Sequence, residues 1–188
     1  MGVRATELRK GQVIERDGDL LLITDYEHKT PGNLRAIINL KTRSLKNGQA
    51  GSIRLGSGDT LEVAFLERRK SEYLYKEIHG TYVFMDSENY EQFELSDELV
   101  GAMMGYVREN TTVSVTFHGT TAVGVELPSQ VTLKVTESEV AVKGNTANTV
   151  KKDAVLETGL KIKVPMHIDV GEEVRVSTDT GEFQGRAN

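Results

Sequence analysis

The segment 160–177 constrains the fold most strongly, because apolar and polar residues alternate along it in a fixed register. At 160–164, three apolar residues alternate with two lysines, which predicts a strand with one buried face and one basic face in water. Pro165 ends that strand, and Gly171 permits a tight turn into a second alternating strand at 173–177. The pattern therefore predicts an antiparallel β unit in this part of the chain.

Length and composition narrow the class of protein. The chain has 188 residues, of which 38% are hydrophobic, and it contains no long apolar run, so we expect a soluble protein that does not span a membrane. The first residues carry no apolar signal-peptide core, which predicts a cytoplasmic location. There is no cysteine, and the four histidines are scattered along the sequence, so we expect neither disulfides nor a bound metal.

The net charge of −5 is unevenly distributed. Lys and Arg outnumber Asp and Glu by 10 to 8 in residues 1–64, are outnumbered by 11 to 5 in 65–128, and nearly balance them at 8 to 9 in 129–188. A protein that binds nucleic acid usually carries a basic surface, but one that contacts RNA only at its two ends can keep an acidic centre. The alternative is that the acidic centre is simply a solvated surface.

Short alternating runs separated by turn residues recur along the chain, which is typical of small antiparallel barrels. In the first third, an Asp17-Gly18 turn precedes a strand at 20–26. A loop at 30–34 then leads into a strand at 36–40, and Asn47-Gly48 forms the next hairpin turn. This part of the sequence predicts an SH3-like barrel of five or six strands.

Two further signals divide the rest of the chain. The alternation changes register near 64–69, and Pro128 marks a second boundary. Both later parts are rich in short strands. We therefore expect three domains, at 1–64, 65–128 and 129–188.

One helix is expected, at Ser96–Val107. Ser96 can cap it, and Asp97 and Glu98 suit the positive end of the helix dipole. The helix also carries an apolar stripe, which we expect to lie in the core. The residues of the stripe are Leu99, Val100, Met103 and Met104.

The stretch 152–171, with its glycines, its Val-Pro pair and its alternating apolar positions, resembles the C-terminal signature of bacterial elongation factor P. The blocks Tyr-Val-Phe-Met-Asp at 82–86, Glu-Leu-Pro at 126–128 and Thr-Gly-Glu-Phe at 180–183 also match that family, so the resemblance covers essentially the whole chain. It implies an all-β fold of three small barrels. The first is SH3-like (KOW-like), the other two are oligonucleotide-binding (OB) barrels, and together they form an L-shaped mimic of tRNA.

The resemblance also implies a function without catalysis. The family consists of elongation factors that bind the 70S ribosome between the peptidyl-tRNA and exit-tRNA sites. There they stimulate peptide-bond formation on stalled peptidyl-tRNA, chiefly at consecutive prolines. The implied partners are the ribosome, peptidyl-tRNA and ribosomal RNA, and we expect a monomer with no cofactor and no small-molecule substrate.

The tip loop, residues 29–35, is where the resemblance implies contact with the CCA end of peptidyl-tRNA. In much of the family a lysine follows Pro-Gly here and is extended by a β-lysyl-type modification, and other branches use a rhamnosylated arginine. This chain has an asparagine at that place, and an amide has no nucleophilic amine to acylate. The residues of the loop are Lys29, Thr30, Pro31, Gly32, Asn33, Leu34 and Arg35.

Two alternatives remain open for this loop: either it works unmodified, or Lys29 or Arg35 carries a modification. Pro31 restricts one backbone angle and Gly32 permits a left-handed turn, so the sequence predicts a rigid β-turn at 30–33 that presents Asn33. A rigid loop loses less entropy on docking, and the two cations suit contact with phosphates. Alternatively, Asn33 merely suits a turn.

The last third contains further contacts that the resemblance implies, with the exit-site codon and ribosomal RNA. The matching loop is Lys143, Gly144, Asn145 and Thr146, and the family more often has an aspartate in place of Asn145. Phe183 replaces a frequent tyrosine but keeps a face that can stack, and Arg186 keeps a cation near the C-terminal end. By themselves, Phe183 also fits a core position and Arg186 an ordinary exposed one.

Three competing interpretations were weighed. The elongation factor P-like paralogue shares the three barrels and lacks the usual lysine, so Asn33 fits it equally well. An enzyme is disfavoured, because Glu126 and His118 lie at no diagnostic spacing. A generic OB-fold binder of single-stranded RNA should expose aromatic residues beside a basic groove, and only 6% of the residues are aromatic.

Overall fold

The computed structural model describes residues 2–140 and 150–187. Over these ranges the protein is almost entirely β-structure, in three antiparallel sheets, with one short α-helix, as expected from the sequence. Among the residues described, no helix is long and apolar enough to cross a membrane.

The first sheet has six strands, in the order β1-β6-β2-β3-β4-β5. Its core includes the buried side chains of Ile14, Ile23, Ile38 and Leu40. The strands are β1 (Gly2–Arg4), β2 (Val13–Arg16), β3 (Asp19–Lys29), β4 (Ile37–Ser44), β5 (Ala50–Gly56) and β6 (Thr60–Val63).

The turn between β2 and β3 shows why a two-residue Asp-Gly sequence predicts a hairpin. Arg16 pairs with Asp19 across it, and both central residues have positive φ, 52° at Asp17 and 82° at Gly18. Two left-handed residues give a type I′ turn, whose twist matches that of the flanking strands. The turn therefore sets the register of β2 against β3.

The second sheet has five strands, in the order β11-β10-β7-β8-β9. Aromatic rings fill its interior: Phe84 stacks on Phe93 with centroids 5.6 Å apart, and Phe93 meets the edge of Phe117 at 5.2 Å. The strands are β7 (Glu67–Lys76), β8 (Tyr82–Asp86), β9 (Gln92–Leu95), β10 (Thr111–His118) and β11 (Thr121–Glu126).

The helix, α1, runs over Asp97–Met104, so the predicted range 96–107 was too long at its C-terminal end. The amides of Tyr106 and Val107 bond to carbonyls only three residues back, which is the tighter geometry of a helix end. Glycine at 105 has a low helix propensity, which explains the early end. The apolar stripe lies largely in the core as expected, with Val100 and Met104 buried.

The first and second sheets share a hydrophobic cluster. Val13 and Leu22 of the first sheet are buried with Val123 of the second, and Leu45 and Leu99 pack against them. The described residues of 1–101 and 112–126 accordingly form one compact unit, and those of 102–111 and 127–188 form another.

The third sheet lies in the second unit and has the order β14-β13-β12-β15-β16. The alternation predicted at 160–164 is confirmed, because Ile162 and Val164 are buried whereas Lys161 and Lys163 are exposed. The predicted turn at Gly171 is also present, with φ of 94°. The strands are β12 (Gln130–Ser138), β13 (Lys151–Leu156), β14 (Lys161–Pro165), β15 (Glu173–Ser177) and β16 (Phe183–Arg186).

The segment 102–111 packs with the third sheet, although along the sequence it lies between strands of the second. Tyr106 packs against the core of the third sheet. The Thr158 hydroxyl donates a hydrogen bond to the Gly105 carbonyl, and Arg108 lies 3.9 Å from a carboxylate oxygen of Glu157. The second compact unit is therefore built from two separate stretches of chain.

Helix α1 begins beside a polar network on the second sheet. The Tyr82 hydroxyl donates a hydrogen bond of 2.9 Å to Asp97 Oδ1, and Lys76 Nζ lies 3.9 Å from that same oxygen. Lys76 Nζ also lies 5.0 Å from the centre of the Tyr82 ring. Burial of the Tyr82 side chain, followed by its bond to Asp97, raises the pKa of Tyr82 above its ordinary value.

We expect Tyr82→Phe to lower the free energy of unfolding by about 1 kcal/mol near neutral pH, through loss of this hydrogen bond. Because the folded-state pKa of Tyr82 is raised, its stabilising effect is complete below the unfolded pKa of about 10 and is lost as pH rises through the folded pKa. The variant should therefore lose less stability than the wild type above about pH 10. Urea unfolding at neutral and alkaline pH measures both effects.

The control is Tyr90→Phe, because Tyr90 is 71% exposed. This variant should match the wild type at both pH values. An alkaline loss of stability in Tyr82→Phe equal to that of the wild type would contradict the role assigned to the Tyr82–Asp97 pair.

Candidate functional site

The tip loop is carried on the longest hairpin of the first sheet. Strands β3 and β4 pair from Leu21↔Ser44 to Lys29↔Ile37, and the loop continues beyond the last pair. The buried residues Ile38 and Leu40 hold one face of β4 against the core, whereas every residue of 27–35 is exposed. A hairpin anchored at its base thus projects an accessible loop.

A single tight turn shapes the loop. The Leu34 amide donates a hydrogen bond of 2.9 Å to the Pro31 carbonyl, and Gly32 has φ of 49°. The turn therefore spans Pro31–Leu34, one residue later than the predicted turn at 30–33. Gly32 has positive φ at the first central position and Asn33 does not at the second, which is the pattern of a type II′ turn. Glycine accepts a positive φ at either central position, so the local sequence alone did not choose between the two turns. Asn33 occupies the second central position.

Two cations lie on either side of this turn. Lys29 Nζ is 3.2 Å from a carboxylate oxygen of Glu27, but both side chains are more than half exposed, and such surface pairs are worth little. Arg35 is exposed and forms no ion pair with any residue in the described ranges. Between the cations, residues 30–34 carry no charge, and Leu34 is 70% exposed. The loop therefore presents a neutral end with positive charge on each side.

The two expected contact residues near the C-terminus belong to β16. Phe183 is half-buried and packs against the core of the third sheet, so only part of its ring is open to stacking. Arg186 Nε lies 3.3 Å from Glu172 Oε1, and its guanidinium also donates to the His167 carbonyl at 3.4 Å. The Arg186 side chain nevertheless remains 48% exposed. The expected loop contacts at Lys143, Gly144, Asn145 and Thr146 lie outside the described residues.

Candidate groups for catalysis are not brought together. Glu126 pairs with Ser114 across β10 and β11, four residues along β10 from His118, a separation of about 13 Å along the strand. Glu126 instead accepts a hydrogen bond of 2.7 Å from Arg68 Nε, which raises the pKa of Arg68. Over the described ranges, no three potential metal ligands cluster either.

Three family profiles match the chain and together cover nearly all of it. They are described as Elongation factor P (EF-P) KOW-like domain at residues 4–61, Elongation factor P (EF-P) OB domain at 66–125, and Elongation factor P, C-terminal, at 131–186. The three sheets of the structure coincide with these three matches in the same order, to within two residues at each boundary. These matches place the protein in the class of translation elongation factors, which are not classical enzymes.

Full-length relatives agree. The chain is 40% identical over 187 residues to elongation factor P from an Exiguobacterium species, covering 99% of both chains, and 40% identical over 187 residues to elongation factor P from Acidobacterium capsulatum, covering 100% of both. The chain belongs to the elongation factor P family. Among solved structures, eukaryotic translation initiation factor 5A from Methanococcus jannaschii matches 67% of this chain and 92% of its own, with 20% identity and a TM-score of 0.39, a similarity on which no conclusion rests.

The left-handed glycine of the tip turn can be tested directly. We expect Gly32→Ala to weaken the turn by about 1 kcal/mol or more, because a side chain disfavours positive φ, while nothing lies within 4 Å of the added Cβ to clash with it. Hydrogen exchange at the Leu34 amide, followed by NMR, should become several-fold faster. The global melting temperature should change little.

The matched control is Gly58→Ala, because Gly58 also has open space around its Cβ but lacks a positive φ. It should leave exchange at Leu34 unchanged. If the Leu34 amide exchanges equally fast in Gly32→Ala and in the wild type, the turn does not hold this loop.

Proposed function

We propose that this protein binds the ribosome between the peptidyl-tRNA and exit-tRNA sites and stimulates peptide-bond formation on stalled peptidyl-tRNA, chiefly at consecutive prolines. The observation that carries the proposal is the tip loop: a tight turn at the end of a long anchored hairpin, uncharged at its end and flanked by Lys29 and Arg35. Such a loop can enter a narrow RNA-lined space and meet phosphates on both sides.

The loop works without a modified side chain in this proposal. The Asn33 amide can donate and accept hydrogen bonds but has no amine to extend, and it carries no charge. Its backbone is already shaped by the bond between Leu34 and Pro31. A preorganised loop loses less conformational entropy on docking. This smaller entropy loss offsets the absence of the contacts that a long modified side chain would make.

The remaining parts of the proposal concern the other contacts and the assembly. In this proposal the exit-site codon and ribosomal RNA are contacted by Phe183, Arg186 and the loop 143–146. The chain is divided into three domains, at 1–64, 65–128 and 129–188. The central third carries 11 acidic residues against 5 basic ones, so it repels phosphate and restricts RNA contact to the flanking domains. We propose a cytoplasmic monomer that acts through peptidyl-tRNA and ribosomal RNA.

The decisive experiment is translation of a polyproline-encoding message in a reconstituted system that lacks the endogenous factor. Protein made in a foreign host, with no adduct on the peptide containing residues 29–35 by mass spectrometry, should relieve the stall. Arg35→Gln should lower the rate of relief several-fold, because it removes a positive charge beside the loop. Arg9→Gln is a charge-matched control and should retain wild-type relief. Arg9 is also exposed, but it precedes β2 and lies outside the tip loop.

Other outcomes assign the role differently. If only protein from the native host relieves the stall, a modification on Lys29 or Arg35 is required and the unmodified loop is insufficient. If neither preparation relieves the polyproline stall but other stalls are relieved, the role of the elongation factor P-like paralogue is favoured. A generic RNA-binding protein is favoured when free RNA is bound as tightly as ribosomes.

A further inference from the structure

Strand β3 contains one extra residue at the base of the hairpin that carries the tip loop. Ile23 pairs with Thr42 on β4. The next pair along the two strands is Asp25 with Lys41, so Thr24 is an additional residue between the two pairs. Such a residue on one strand of an antiparallel pair makes a β-bulge, which bends the strand and increases its local twist. The bulge therefore changes the direction of the hairpin beyond it.

The bulge lies where β3 leaves β2. The Ile23 amide donates a hydrogen bond of 2.9 Å to the Gln12 carbonyl, and the Ile23 carbonyl accepts one of 2.8 Å from the Gly11 amide. Beyond Ile23, the pairing of β3 with another described strand is with β4 alone, over residues 25–29. A bend at this position turns the outer part of the hairpin and leaves the pairing of β2 intact.

Burial of the core does not require the extra residue. Ile23 is buried in the core of the first sheet and Tyr26 packs against that core, although the two are three residues apart. Thr24 is exposed. Residues on one face of a regular strand are two apart, so a chain without Thr24 would keep the same pairs with β4 and the same side chains on the core face. The bulge thus affects the direction of the hairpin and not its burial pattern.

The side chain of Asp25 fixes the bulge. Its Oδ1 accepts a hydrogen bond of 2.9 Å from the Tyr26 amide, which ties the carboxylate to the backbone directly after the extra residue. The same oxygen lies 3.8 Å from Lys10 Nζ, but these two side chains are 51% and 50% exposed, and such surface ion pairs are worth little. The bond to the backbone is therefore the main constraint that Asp25 supplies.

We propose that Thr24 and Asp25 are positioning residues for the tip loop: the bulge aims the hairpin, and the Asp25 carboxylate fixes the bulge. This inference rests on the proposed function, in which the loop must reach a defined point beside peptidyl-tRNA. Residues 25 and 29 are about 13 Å apart along β3, so each change of about 10° in the bend moves the loop by about 2 Å. A misplacement of about 1 Å at a reacting site can lower a rate by a factor of about 100.

Residual dipolar couplings of the backbone amides, measured by NMR on the full chain, report the direction of the hairpin. Deletion of Thr24 should leave the couplings of the β2 amides unchanged and alter those of Lys29 and Leu34, because the outer part of the hairpin takes a new direction as one body. Asp25→Ala should speed hydrogen exchange at the Tyr26 amide several-fold. Asp25→Asn keeps a side-chain oxygen that can accept the bond, and should exchange as slowly as the wild type.

Stall relief in the reconstituted system tests whether this direction matters. Deletion of Thr24 and Asp25→Ala should each lower the maximal rate several-fold. The concentration of factor that gives half of that rate should change little, because every group of the tip loop is still present and only its position differs. Asp25→Asn should retain most of the rate. Lys10→Gln removes only the ion pair with Asp25, and should match the wild type in every measurement.

Two results would overturn the inference. One is a deletion variant whose couplings at Lys29 and Leu34 fit the wild-type direction. The other is a changed direction with an unchanged maximal rate of relief. If deletion of Thr24 prevents folding, Asp25→Ala decides the matter, since wild-type exchange at Tyr26 together with wild-type relief would show that the carboxylate does not position the loop. If the wild type itself relieves no stall, the proposed function fails, and the couplings still decide whether the bulge aims the hairpin.

Discussion

The alternation of buried and exposed side chains in short antiparallel strands is the constraint on which the rest of this structure depends. On β4, Ile38, Leu40 and Thr42 are buried while their neighbours are not, and β4 pairs with both β3 and β5. Slipping either pairing by one residue would turn every buried side chain of the strand towards water. This penalty determines the register of the longest hairpin, and with it the position of the tip loop at its end.

The tip loop combines flanking charge with a backbone shape that glycine permits. At the loop, the cations stand on either side of an uncharged turn whose shape comes from a backbone hydrogen bond and a left-handed Gly32. Glycine thus decides the shape of the loop, because a Cβ at position 32 would strain the turn.

Local patterns predicted much of this arrangement. The strand alternation, the Asp17-Gly18 turn and the apolar stripe of α1 all follow from residues close together in the sequence. The predictions were wrong at the end of α1 and at the tip turn, where two adjacent positions in the sequence are both possible. The predicted α1 ran past Gly105, before which the helix ends, and the tip turn could form at 30–33 or one residue later. Glycine accepts a positive φ at either central position of a turn, so a four-residue window does not choose between them; in the structure the turn spans Pro31–Leu34.

The sequence by itself determined the all-β class, the family, and the chemistry excluded at the tip, because Asn33 cannot be acylated in any fold. Only the tertiary structure decided that the tip turn spans Pro31–Leu34 and that Tyr106 packs with the third sheet. The physical reason is that side-chain chemistry and period-two alternation are local properties, whereas these contacts depend on strand pairing between distant residues. That pairing is decided by the burial of the whole core.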